Sequence, residues 1–140
     1  MRPAGGRVAA LDLGEAWTGV AVSDPTRTIA RPLEVVRTEE LCGLLRRLIR
    51  EEGVGEVVVG MPRTLRGERG FQARRVSDRL GSLKASFPEV RFVEWDERLT
   101  TRMASALLRE GRGRGGRRER VDHLAAARML QEYLELGGGA

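Results

Sequence analysis

The stretch Arg7-Val-Ala-Ala-Leu-Asp12-Leu-Gly14-Glu15-Ala16-Trp17-Thr18-Gly19-Val-Ala-Val-Ser23 decides the fold. Arg7 to Leu13 and Thr18 to Ser23 are short apolar runs, and Gly14 to Trp17 between them predict a tight turn joining two strands into a hairpin. Asp12 stands where the first strand gives way to the turn. A carboxylate there sits at the sheet edge and suits a metal, although an Asp before a turn glycine also suits an acceptor for turn N–H groups.

Outward from the hairpin, Ile29 to Val36 reads as a third strand, and Pro32 near its start assigns it to a sheet edge. From Thr38 the apolar period becomes helical, through Leu41, Leu44, Leu45, Leu48 and Ile49, behind Glu39 and Glu40 and as far as Gly53. Glu56 to Gly60, with Val57-Val58-Val59, predicts a buried parallel strand. A loop with Pro62 and Gly67 follows, then a helix bearing Ala73, Val76, Leu80 and Leu83. Arg91 to Trp95 predicts a fifth strand, and Met103, Ala104, Leu107 and Leu108 a further helix after Thr100-Thr101. Gly111 to Gly116 alternates Gly with Arg and predicts a mobile basic loop at about 111–118. The last helix is expected from about Arg120 to Leu136, before a glycine tail. The order βββαβαβαα implies one α/β domain over residues 1–140, a five-stranded mixed sheet with helices on both faces.

Composition narrows the chemistry. The chain has 140 residues, 41% hydrophobic and only 4% aromatic, with a net charge of +5. A basic protein short of aromatic platforms is expected to grip nucleic acid through charge, and Lys84 is its only lysine, so guanidinium groups supply nearly all of that charge. Cys42 is the single cysteine and is expected to be a semi-buried structural thiol, which suits a reducing cytoplasm. Met1 to Gly6 has no hydrophobic signal core, and no apolar run approaches the ~20 residues of a membrane span, so a cytoplasmic protein without membrane contact is expected. One histidine and one cysteine give little support to a zinc site, a Cys-His dyad or a Ser-His-Asp triad. His123 reads as a partly exposed helix residue.

Carboxylates carry the remaining chemistry. Asp96-Glu97 ends the fifth strand, and because adjacent strand residues face opposite ways, only one of the two aims toward Asp12. Asp122 reads as opening the last helix on the stripe Asp122, Ala126, Met129 and Tyr133, although a helix-terminus electrostatic role suits it too. Acids converging on one edge suit Mg²⁺ or Mn²⁺, with two ions activating water and stabilising the leaving oxygen of a phosphodiester. Arg112, Arg114, Arg117, Arg118 and Arg120 lead into the Asp122 helix, where they can grip a phosphate backbone, and Arg98 follows the acidic pair.

Four segments together resemble the YqgF/RuvX family: Ala10-Leu-Asp-Leu-Gly14 with Gly19-Val-Ala-Val-Ser-Asp24; Val57-Val-Val-Gly-Met-Pro62; Asp96-Glu-Arg-Leu-Thr-Thr101; and Val121-Asp-His-Leu-Ala-Ala126 with Leu130-Gln-Glu-Tyr-Leu134. The resemblance spans nearly the whole chain. It implies an RNase H-like, RuvC-related three-layer fold and a nuclease that processes the 5′ end of pre-16S rRNA at a pre-ribosomal particle, with resolution of Holliday junctions in branched DNA as the alternative. The acids it implies are Asp12, Asp122 and one or both of Asp96 and Glu97. The fourth strand ends in Gly60-Met61-Pro62, without the acid that RNase H-like nucleases often carry there. The sequence departs from the family's usual pattern at Trp17, where a basic residue is common, and at Arg66, where an acid precedes the loop glycine. Trp17 suits either an apolar cover for the turn or a stack on a base or ribose. Two lower readings are a non-catalytic RNA- or ribosome-binding module and an actin-like phosphotransferase fragment, the latter needing a second domain to close around ATP. A resolvase cutting two strands symmetrically is expected to be a homodimer, and an rRNA-trimming enzyme can be a monomer.

Overall fold

A computed structural model of the chain describes residues 6–14, 16–61, 71–96 and 117–137, with the backbone alone at 61, 71–76, 96 and 117–123. The expected hairpin forms. Strand β1 (Arg7–Leu13) pairs antiparallel with β2 (Trp17–Ser23), which pairs antiparallel with β3 (Ala30–Arg37). A 3-10 turn at Thr38–Glu40 leads into helix α1 (Leu41–Glu52), then β4 (Val54–Met61), α2 (Phe71–Ser86), β5 (Arg91–Asp96) and α3 (Arg117–Glu135). The sheet order is β3-β2-β1-β4-β5, with β1 parallel to β4 and β4 parallel to β5.

Because β1 is central, it is covered on both faces, which accounts for its unbroken apolar run. Ala9, Leu11 and Leu13 face a core built with Leu41, Leu45 and Leu48 of α1 and with Leu80 and Leu83 of α2. Val8 and Ala10 face the opposite core, with Ala21, Val58 and Trp95 of the sheet and Ala126, Met129, Leu130 and Tyr133 of α3. Small residues on both sides of that second interface, Ala10, Ala21 and Ala126, let α3 lie close to the sheet. Helices therefore cover both faces, as in the expected three-layer arrangement.

Local signals act where their chemistry requires. Gly53 caps α1 at φ +73°, a left-handed conformation that glycine adopts without a Cβ penalty, and its N–H bonds the Leu48 carbonyl. Pro32 lies on the edge strand beside a register shift: Val20 pairs with Glu34 and Ala21 with Pro32, so Leu33 is an extra residue and β3 bulges where proline has no N–H to offer. Cys42 is half-buried against the α1 core.

The last helix corrects two expectations. It begins at Arg117 rather than Arg120, so positions 117 and 118, expected in the basic loop, are helical. Residues 111–120 contain no apolar residue other than glycine, so no periodicity marks the first turn, yet Arg and Glu are good helix formers. Asp122 consequently lies in the second turn, beyond the first-turn reach of helix-terminus electrostatics, instead of opening the helix. The helix expected near Met103 to Leu108 and the loop 111–116 lie outside the described residues.

Candidate functional site

Asp12 is the penultimate residue of β1 and shares the parity of Val8 and Ala10, so it belongs to the face that α3 covers. Its register partners are Gly19 on β2 and Gly60 on β4, and Gly60 pairs in turn with Trp95 on β5. The half-buried Asp12 is thus flanked on both neighbouring strands by residues that have no side chain, and Trp95 closes the row. An acid in the middle of a sheet row, between two glycines, occupies a place where an apolar β-branched residue would ordinarily pack.

The turn after Asp12 is held from the other face. Thr38 Oγ1 bonds the Gly14 carbonyl at 2.9 Å, and the Thr38 N–H bonds the Ala16 carbonyl at 2.8 Å. The buried Thr18 and Thr38 hydroxyls lie 2.9 Å apart. A Cβ at Gly14 would fall 2.4 Å from the Trp17 carbonyl oxygen, so the chain reverses there only with glycine.

Strand β5 supplies the other end of the row. Phe92 packs toward the α1 core, whereas Val93 and Trp95 pack toward α3. Asp96 ends the strand opposite Met61. The Asp96 side chain lies outside the described residues, as do Glu97 and Arg98.

Two anchors set how far along the sheet α3 sits. The Gln131 amide accepts the Ala30 N–H at 2.8 Å and donates to the Thr28 carbonyl at 3.0 Å, joining the helix to the start of β3. The Tyr133 hydroxyl donates to Glu56, which is buried and also accepts from Arg27 at 2.5 Å. Burial, reinforced by the hydrogen bond to Glu56, pushes the Tyr133 hydroxyl up to about 12. Arg27 reaches Glu56 from the β2–β3 turn with φ 59°, a left-handed conformation unusual outside glycine. Glu56 pairs in register with Val8, and the Tyr133 ring also meets Trp95, in the Asp12 row, edge-on with centroids 5.7 Å apart. Asp122 precedes Tyr133 by eleven residues, about 16 Å along a helix axis. Asp12 lies four residues beyond Val8, about 13 Å along a strand. The two spans are of similar length, and the Asp122 side chain lies outside the described residues.

The sequence reading missed this anchor. Its available signal was Glu56 itself, a lone acid beginning a strand otherwise apolar on both faces. Asp24, which ends the first of the four family-like segments, serves a separate turn at the opposite end of β2. Its carboxylate accepts the Ile29 N–H at 2.9 Å, the Thr26 hydroxyl and the Thr28 N–H at 2.8 Å, which together hold it well below the usual carboxylate range. Arg117, Arg118 and Arg120 lie on the first turn of α3, while Arg112 and Arg114 are outside the described residues. Among the described residues no three His, Cys, Asp or Glu side chains form a metal cluster, and no helix is long and apolar enough to cross a membrane.

A mixed sheet of order 3-2-1-4-5, with an acid near the end of its central strand, defines the RNase H-like class. Two Thermus thermophilus RuvC structures share the fold with TM-scores of 0.61 and 0.62, at 20% and 17% identity over 94% of this chain and 96% of theirs. One of them is RuvC in complex with a Holliday junction substrate. The model of the family described as "RuvX: Holliday junction resolvase" matches residues 6–136, and the chain belongs to that family. A Rubrobacter xylanophilus protein named "Putative pre-16S rRNA nuclease" is 84% identical over 140 residues, all of both chains. A Chloroflexus aurantiacus protein of the same name is 40% identical over 135 residues, 91% of this chain and 86% of its own. Family and relatives alike support a nuclease.

Proposed function

We propose that the chain is a divalent-metal-dependent nuclease that hydrolyses phosphodiester bonds at the 5′ end of pre-16S rRNA during ribosome biogenesis. One observation carries the metal-site reading: Asp12 lies at the carboxyl end of the central strand, between Gly19 and Gly60, on the face α3 crosses. A hard carboxylate beside two positions without side chains fits Mg²⁺ or Mn²⁺ better than a soft metal. The full-length likeness to the Rubrobacter protein supports the rRNA substrate.

In this reading Asp12, Asp122 and one of the β5 acids would hold two ions, which would activate a water and stabilise the leaving oxygen. The alternation of β5 favours Glu97 for the third place. Val93 and Trp95 are on Asp12's face, and carrying that parity one residue past the strand reaches Glu97, whereas Asp96 has the parity of Phe92. Arg98, Arg112, Arg114, Arg117, Arg118 and Arg120 supply phosphate contacts that deliver the strand to these acids. The enzyme works in the cytoplasm on a pre-ribosomal particle.

The RuvX description and the RuvC likeness favour a second reading, resolution of four-way DNA junctions, which calls for a homodimer where rRNA trimming needs only a monomer. Side-by-side cleavage of a pre-16S rRNA fragment and a four-way junction, with Asp12→Asn as control, separates the two. Binding of either nucleic acid without cleavage by the wild type would instead identify a non-catalytic binding module. ATP turnover without nuclease activity would identify a phosphotransferase.

A further inference from the structure

Trp17 opens β2 with the same parity as Gly19, the register partner of Asp12, so it belongs to the Asp12 face two residues, about 7 Å, beyond that row. It is half-buried but joins neither apolar core among the described residues. This sets it apart from Phe87, Trp95 and Tyr133, which are buried in the two cores. Its register partner on the edge strand is Arg37, whose guanidinium lies 5.4 Å from the indole centroid. Arg37 is half-exposed and also bonds Glu39 at 3.0 Å. The backbone beneath the pair is fixed by the Thr38 bonds to Gly14 and Ala16 and by the close approach of Gly14 to Trp17. The result is an aromatic ring with a cation over it, held on paired strands beside the candidate metal site.

We propose that Trp17, with Arg37, binds an unpaired nucleobase of the substrate strand next to the phosphate held at Asp12. The indole stacks on the base, and Arg37, over the ring, adds a cation–π contact and a positive charge that suits the phosphate backbone. This rests on the nuclease reading above. It also assigns this chain a base contact that its low aromatic content otherwise argues against.

The test uses full-length protein carrying Asp12→Asn, which is expected to bind without cutting. The probes are single-stranded RNA and DNA oligonucleotides with 2-aminopurine placed in turn at each nucleotide around the cleavage position mapped with the wild type. Fluorescence quenching is expected at one nucleotide adjacent to that position, lost in Trp17→Ala and kept in Trp17→Phe, whose ring can still stack. Trp17→Ala is expected to weaken binding about 10-fold. An abasic site at the same nucleotide should weaken the parent equally, yet cost Trp17→Ala nothing further. Quenching in only the RNA or only the DNA series names the strand type. Quenching that survives Trp17→Ala, or abasic and Trp17→Ala losses that multiply, would overturn the stacking role while leaving the nuclease reading intact. A wild type that neither binds nor cuts either nucleic acid would remove the nuclease reading and this proposal together.

Discussion

The hydroxyl of Tyr133 donates to the buried carboxylate of Glu56, tying the last helix to the start of the fourth strand across most of the chain. Glu56 is 3% exposed and its other oxygen is paired with Arg27. Removing the hydroxyl in Tyr133→Phe leaves a buried carboxylate one donor short, at an expected cost of about 1–3 kcal/mol. Glu56→Ala, which strands Arg27 and removes the acceptor, should cost about 3–5 kcal/mol. Urea unfolding checks both, and equal stability of wild type and Tyr133→Phe would mean the bond contributes nothing net.

The same bond has a pH signature. Tyr133 is the only tyrosine, and its hydroxyl is pushed from 10.0 to about 12 by burial and by Glu56. A raised value favours the neutral form in the fold, so the stabilisation is complete below pH 10 and is lost as pH rises through 12. Tyrosinate absorbance should titrate late in the wild type and earlier in Glu56→Gln. Identical titrations would show that Glu56 does not act on the hydroxyl.

Much of the fold was legible because its signals are local. The two strands of the first hairpin, the edge placement of Pro32 and the end of α1 at Gly53 follow from apolar period and from the backbone limits of proline and glycine. Asp12 was legible as an acid at a strand end, but its two glycine neighbours were not, since Gly60 joins its row only through sheet pairing. The contact of Arg37 with Trp17 depends on a register that the bulge at Leu33 shifts, and Pro32 beside it signals an edge or a bulge without fixing the register. The first turn of α3 has no apolar residue to mark it, and the Glu56–Tyr133 pair joins residues too distant for any period to connect.

The glycines beside Asp12 give a direct prediction. Gly60→Ala puts a methyl group next to the carboxylate in a strand that tolerates it better than glycine. Cleavage should fall at least about 10-fold while the thermal midpoint holds, as for a disturbed metal environment. A variant as active as wild type would show that the row needs no open position at 60.

The proposed third ligand, Glu97, separates the adjacent acids by experiment. Glu97→Gln should abolish cleavage, at a loss of about 100-fold or more, while Asp96→Asn should retain most of it. Metal titrations of activity check this, with a higher half-saturating Mg²⁺ concentration expected only for Glu97→Gln. The reverse pattern would assign the site to Asp96.

The basic segment should act through phosphate alone. Neutralising Arg112, Arg114 and Arg117 together should flatten the slope of log affinity against log salt by about 0.7 per contact on single strands and about 0.9 on duplex. Base preference should stay unchanged, and a slope identical to wild type would place these arginines away from the nucleic acid.

The most direct measurement is metal-dependent cleavage by Asp12→Asn beside wild type, on a pre-16S rRNA fragment and on a four-way junction, with binding followed in parallel. The metal-site account predicts that wild type cuts only with Mg²⁺ or Mn²⁺, and that Asp12→Asn folds and binds yet does not cut. Cleavage by Asp12→Asn at the wild-type rate would contradict it.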